Sequence, residues 1–83
     1  MLKILYFASL REALGLSAEN FDLPPGGADV GKLLTLLTAR GGEWAKLGTV
    51  KNLRYAVNQE MARLDSPLQS GDEVAFFPPV TGG

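Results

Sequence analysis

Eighty-three residues, with 46% hydrophobic and 20% charged side chains, suffice for one small globular domain and argue against a disordered chain. A net charge of −1 leaves no basic footprint for nucleic acid, and no apolar run approaches the roughly 20 residues that cross a bilayer. Cysteine and histidine are both absent, which removes disulfides, an ordinary zinc site and any Cys–His or Ser–His nucleophilic pair; no metal is expected, and with no signal peptide visible the expected location is cytoplasmic.

Residues 2–8 are an apolar run rich in strand formers and read as a first strand. Ser9, with Glu12 three residues on, has the form of a capping box. It predicts a short helix that turns Leu10 and Leu14 to the core and stops at Gly15. Residues 20–23 read as a second strand, closed by Pro24-Pro25-Gly26-Gly27. Asp29 is an N-cap candidate for the main helix, where Val30, Leu33, Leu34 and Leu37 make one apolar stripe. Gly31 weakens its first turn slightly. Gly41-Gly42 ends it, with Arg40 in the last turn, where a cation suits the helix dipole. Residues 43–53 fit a loop or a short helical turn anchored by Trp44 and Leu47.

Residues 54–58 and 61–64 pair as a hairpin about Asn58-Gln59-Glu60. Residues 65–67 break the pairing, Ser70-Gly71-Asp72 turns the chain, and 73–77 is the last strand. Asp72-Glu73 reads as turn chemistry, not as a catalytic acid pair. Pro78-Pro79 must end the strand, because proline cannot donate to a ladder. The fold class is α+β, a sheet with helices packed on one face. The chain divides into a domain over 1–77 and a flexible tail over 78–83.

An open sheet face should be polar. In each strand the alternate set that carries a charge (Lys3, Glu73, Arg54 or Arg63) is the set expected to face solvent. Those same sets hold Leu5, Phe7, Ala56, Met61, Ala75 and Phe77. Side by side they make an exposed apolar patch, which marks an interface; the alternative is that Phe7 or Phe77 folds under a loop. After Phe77 come Pro78, Pro79, Val80, Thr81, Gly82 and Gly83, which extended span at most about 20 Å. The two glycines make a thin strip of backbone that can enter a narrow slot and present a carboxylate there.

The chain resembles the small subunit of molybdopterin synthase, the MoaD family of sulfur carriers. The resemblance rests on Lys3-Ile4-Leu5-Tyr6-Phe7-Ala8 with Arg11-Glu12, on Ala56-Val57-Asn58-Gln59, and above all on the segment from Leu68 to Gly83 with its Phe76-Phe77-Pro78-Pro79-Val80-Thr81-Gly82-Gly83 ending. It implies a ubiquitin-like β-grasp with a mixed sheet of about five strands. It implies that an E1-like adenylating enzyme uses ATP to activate the Gly83 carboxylate. A sulfur donor of the cysteine desulfurase or rhodanese type would then make a thiocarboxylate. The tail, Pro78 to Gly83, would enter a channel of the large subunit and pass sulfur to cyclic pyranopterin monophosphate. Phe7, Met61 and Phe77 would contact the large subunit, in a heterotetramer of two small and two large subunits. Arg11 would touch the activating enzyme, against the reading of a solvated helix-face charge. The chain would bind no cofactor and would be part of an enzyme only as a subunit. The alternatives are a ubiquitin-like protein modifier, a carrier for thiamine or tRNA thiolation, or a plain binding module with an idle tail.

Overall fold

In a computed structural model of the chain, residues 1–79 are described. β1 (Leu2–Tyr6) is followed by α1 (Ser9–Leu14), β2 (Ala18–Phe21), β3 (Ala28–Asp29), α2 (Val30–Thr38) and α3 (Glu43–Leu47). Then come β4 (Arg54–Val57), β5 (Glu60–Met61), β6 (Pro67–Leu68) and β7 (Glu73–Phe77). Five strands form a mixed sheet in the order β2-β1-β7-β4-β5. β1 and β7 are parallel, and the other neighbours are antiparallel. β3 and β6 form a separate short ladder.

The helices cover one face of this sheet. Leu2, Ile4 and Tyr6 of β1 and Val74 and Phe76 of β7 meet Val30, Leu33 and Leu37 of α2, with Leu10 and Leu47 from the smaller helices. Each such side chain, fully buried, contributes roughly 1.5–3 kcal/mol. α2 starts as its sequence predicts. Asp29 is extended and its carboxylate accepts the Lys32 N–H at 2.7 Å. α1 stops as predicted too, at Gly15 in the left-handed region, with its N–H donating to the Arg11 carbonyl.

Several expectations are corrected. Ser9 is the first helical residue and caps nothing. Ala8 holds the cap position, and α1 has no side-chain cap. The reason is that Phe7 is still tied to β7, its N–H donating to the Phe76 carbonyl at 3.2 Å, so the turn into α1 is made in one residue. The second strand lies over Ala18–Phe21, two residues earlier than expected, because its register opposite β1 pairs Ala18 with Leu5 and Phe21 with Leu2. The hairpin's return strand covers Glu60–Met61 and not 61–64, and Leu64 is exposed. Past Met61 the chain caps α2: the Leu64 carbonyl accepts the Gly31 N–H at 2.8 Å and the Ser66 carbonyl accepts that of Val30 at 3.1 Å. This approach also accounts for Gly31, where a Cβ would sit 3.2 Å from the Leu64 oxygen. Residues 43–53 contain the short helix α3, and Pro67, read as a breaker, pairs with Asp29.

Arg40 lies beyond the end of α2 at Thr38, not in its last turn. Its guanidinium makes a two-pronged ion pair with Glu19, at 2.9 Å on each oxygen, and lies 4.4 Å from the centre of the Trp44 ring. The Tyr6 hydroxyl donates to the same carboxylate at 2.8 Å. One network thus joins β1, β2, the end of α2 and α3. Burial and the hydrogen bond to Glu19 push the Tyr6 hydroxyl well above its ordinary range. For Glu19, burial pushes the carboxyl up, but the hydrogen bonds from Arg40 and Tyr6 outweigh it and hold the group below its ordinary value.

A carboxyl whose pKa is depressed on folding adds stability that is present above its unfolded pKa, about 4.3. That stability is lost as pH falls through the folded value. Glu19→Gln is expected to cost about 1–2 kcal/mol at pH 7. The gap to the parent should narrow below about pH 4. Thermal melts between pH 3 and 7 check this, and parallel curves would show that Glu19 does not carry the effect.

Candidate functional site

The open face of the sheet is built from rungs, one residue per strand. Strand register puts Ala18, Leu5, Ala75, Ala56 and Met61 on one continuous rung across all five strands. Four strand spacings make it about 19 Å long. On one side the next rung is polar, with Asn20, Lys3 and Glu73 in register. Asn58 completes that side: its side-chain oxygen accepts the Glu73 N–H, while its amide donates to Asp72 at 3.0 Å. On the other side stand Phe7, Phe77 and, opposite Phe77, Arg54. The face is therefore polar on the Lys3 side and, apart from the exposed Arg54, apolar on the side where β7 ends.

Phe7 is 45% exposed and Met61 63% exposed. Leu5 and Phe77 are half-buried, and none of the four packs against the core. Phe7 does not fold under a loop, and Phe77 stands outside the core cluster. Ala56 and Ala75 are buried at 9% exposure yet also stand outside the core cluster. Two small residues in mid-row leave a shallow floor between Leu5 and Met61. Local sequence explains the projecting edge at Met61. Asn58 and Gln59 both take positive φ, 51° and 70°, the primed hairpin turn that sends β5 back beside β4.

The structure thus brings Leu5, Phe7, Met61, Ala75 and Phe77 onto one surface. Pro78 and Pro79 continue from it, half-buried. Arg11 is not part of the row: it is exposed on α1 and makes no ion pair among the described residues. Val80, Thr81, Gly82 and Gly83 lie outside the described residues. Ala18 belongs to the row and was missed by sequence reasoning; a strand started two residues earlier would have found it. Asp72 is a turn residue, its carboxylate accepting from the Gln69 N–H at 2.8 Å and from Asn58. Among the described residues no group of three His, Cys, Asp or Glu side chains could hold a metal ion, and no helix is long and apolar enough to cross a membrane.

A face with no acid–base pair and no metal ligands, ending where the chain leaves the sheet, is suited to holding a partner. If that is its purpose, its exposed members contribute little to the fold. Phe7→Ala and Met61→Ala are expected to change stability by no more than about 0.5 kcal/mol. Phe76→Ala, on the opposite face of the same sheet, is expected to lose about 3–5 kcal/mol. Urea unfolding of the three variants measures this; a large loss at Phe7 would make it a packing residue.

The model of the ThiS family matches residues 4–83. The "Molybdopterin synthase sulfur carrier subunit" of Escherichia coli K12 is 44% identical, with all of both chains covered. The protein of the same name from Haemophilus influenzae is 40% identical, again over the whole of both chains. Among solved structures, H. volcanii small archaeal modifier protein 1 superposes with a TM-score of 0.79 at 30% identity, covering 95% of this chain and 97% of that one. The ubiquitin-like β-grasp expected from the resemblance is the fold of this chain.

Proposed function

We propose that this chain, which belongs to the ThiS family, is the sulfur-carrier subunit of a molybdopterin synthase. The observation that carries this reading is a placement: Phe77 stands beside the apolar row on the open face, and Phe77 is the residue from which the chain continues into Pro78 to Gly83. A partner held on the row meets the tail at the row's own edge. The carrier subunits of E. coli and H. influenzae support the same reading by identity along their full length.

On this reading Gly83 is the reacting residue. Its α-carboxylate, with an ordinary pKa of about 3.3–3.7, is an anion at neutral pH and resists nucleophiles. An E1-like adenylating enzyme spends ATP to turn one carboxylate oxygen into a leaving group. A sulfur donor replaces it, leaving a thiocarboxylate whose sulfur is a soft nucleophile. The tail then enters the large subunit, and the sulfur passes to cyclic pyranopterin monophosphate; two charged carriers serve each dithiolene. The chain holds no cofactor and supplies no acid or base. Its work is docking and presentation, and the catalytic groups belong to its partners.

A second reading has its own support in the likeness to the archaeal modifier: Gly83 would form an isopeptide bond with lysines of other proteins. Activation is common to both, so the product decides. Intact-mass spectrometry after incubation with adenylating enzyme, ATP and a sulfur source is expected to show exchange of one terminal oxygen for sulfur. High-mass conjugates would favour the modifier, and an unaltered chain would defeat both. Deleting Gly83, or adding one residue after it, is expected to abolish sulfur transfer with an unchanged melting temperature. Phe77→Ala is expected to weaken binding to the large subunit by about 1–3 kcal/mol, measured by calorimetry.

A further inference from the structure

Two helices of this fold start in the same unusual way. Before α3 the backbone of Gly42 takes φ 58°, ψ −135°, and before α1 that of Ala8 takes φ 54°, ψ −131°. Neither helix has a side-chain cap. This conformation belongs to glycine, because an L-residue's Cβ crowds its own backbone there. At position 42 the fold uses glycine although a Cβ would meet nothing within 4 Å. The demand therefore comes from the backbone angles and not from lack of space. At position 8 the same angles carry a methyl group. Ala8 is exposed and lies outside the apolar core. The methyl strains the free chain, and no packing in the core compensates for it.

Its position supplies the missing return. Ala8 directly follows Phe7, whose N–H is bonded to the Phe76 carbonyl and whose own carbonyl accepts the Leu10 N–H at 3.2 Å. Phe7 is thus fixed on the open face, and the next Cα is only 3.8 Å further on. Phe7 is therefore both a member of the open face beside the end of β7 and the residue from which the β1–α1 turn departs. We propose that the Ala8 methyl is a contact of the docking face, carrying that face from the sheet over the β1–α1 turn onto the large subunit. This rests on the sulfur-carrier reading above and adds a specificity-determining position to it. Alanine stands here against the preference of its own backbone because the complex, not the free chain, uses the methyl.

Two variants separate contact from rigidity. Ala8→Gly removes both strain and methyl. A D-alanine placed at position 8 by chemical synthesis also relieves the strain, since for a D-residue these angles mirror the polyproline region. It keeps the turn stiff but points the methyl the other way. Melting temperature and affinity for the purified large subunit are measured for the parent, both variants and Phe7→Ala. Both position-8 variants are expected to melt about 2–6 °C higher. Both are also expected to bind about four-fold more weakly, the effect of one buried methyl. Full affinity in the D-alanine chain alone would make Ala8 a stiffener and overturn the proposal. So would full affinity in both, or an unraised melting temperature in Ala8→Gly. A parent chain that does not bind the large subunit would overturn the function reading itself, whereas equal binding by all position-8 forms with loss only in Phe7→Ala would overturn this inference and leave that reading standing.

Discussion

The pairing of the first strand with the last governs this molecule. β1 and β7 lie parallel at the middle of the sheet, with Ile4 opposite Val74 and Tyr6 opposite Phe76. Parallel neighbours cannot be joined by a tight turn, so the chain between them has to cross over one face. α1, α2 and α3 all lie in that crossover, and their leucines find Leu2, Ile4, Tyr6, Val74 and Phe76 beneath them. The other face is left without helices. The same pairing makes the last strand a central one, flanked by β1 and β4, so the chain leaves the sheet from its middle and not from an edge. Both the open face and the point of departure follow from one parallel ladder.

The crossover side is closed by polar chemistry as well as by leucines. Tyr6 faces the core yet carries a hydroxyl that needs a partner, and Glu19 on the neighbouring strand supplies it. Glu19 in turn needs a cation, which Arg40 brings from the end of α2 while lying over Trp44 and near Phe21. No buried side-chain polar atom among the described residues is left unpaired. A half-made network of this kind would cost more than an apolar core. This gives Arg40 a purpose that helix-end electrostatics would not have revealed.

Much of this was legible in the chain, and the parts that were not have physical causes. Period-two alternation exposed the conflict between charges and greasy residues on one face, because alternation is a property of the strand itself. Asp29 and Gly15 were legible for the same reason: a cap acts within a few residues. What failed was set by distant partners. The start of β2 depends on register with β1, so Ala18 was lost to the row. The end of β5 depends on α2, whose N–H groups claim the carbonyls of Leu64 and Ser66. Ser9 and Glu12 satisfy the local pattern of a capping box, but the bond from Phe7 to β7 sets the helix start one residue earlier, with Ala8 at the cap position and Ser9 already helical. β3 and β6 pair across almost forty residues, and nothing local in Pro67 announces it.

Area sets a further condition on the docking face. A row about 19 Å long and two rungs deep offers on the order of 250 Å². A stable interface takes about 800 Å² from each partner. The polar rung of Asn20, Lys3 and Glu73 bounds the row on one side, and β5, only two residues long, bounds it at Met61. Growth is left in one direction, past Phe7 and Phe77. There the chain itself continues, from Phe7 into the β1–α1 turn and from Phe77 into Pro78 and Pro79. A partner that bound only the row would bind weakly. One that also took the turn and the residues after Phe77 would reach the area of a specific complex, and it would do so only with the tail engaged. On the proposed reading, docking and presentation of the tail would be parts of a single binding event, because the row alone falls short of that area.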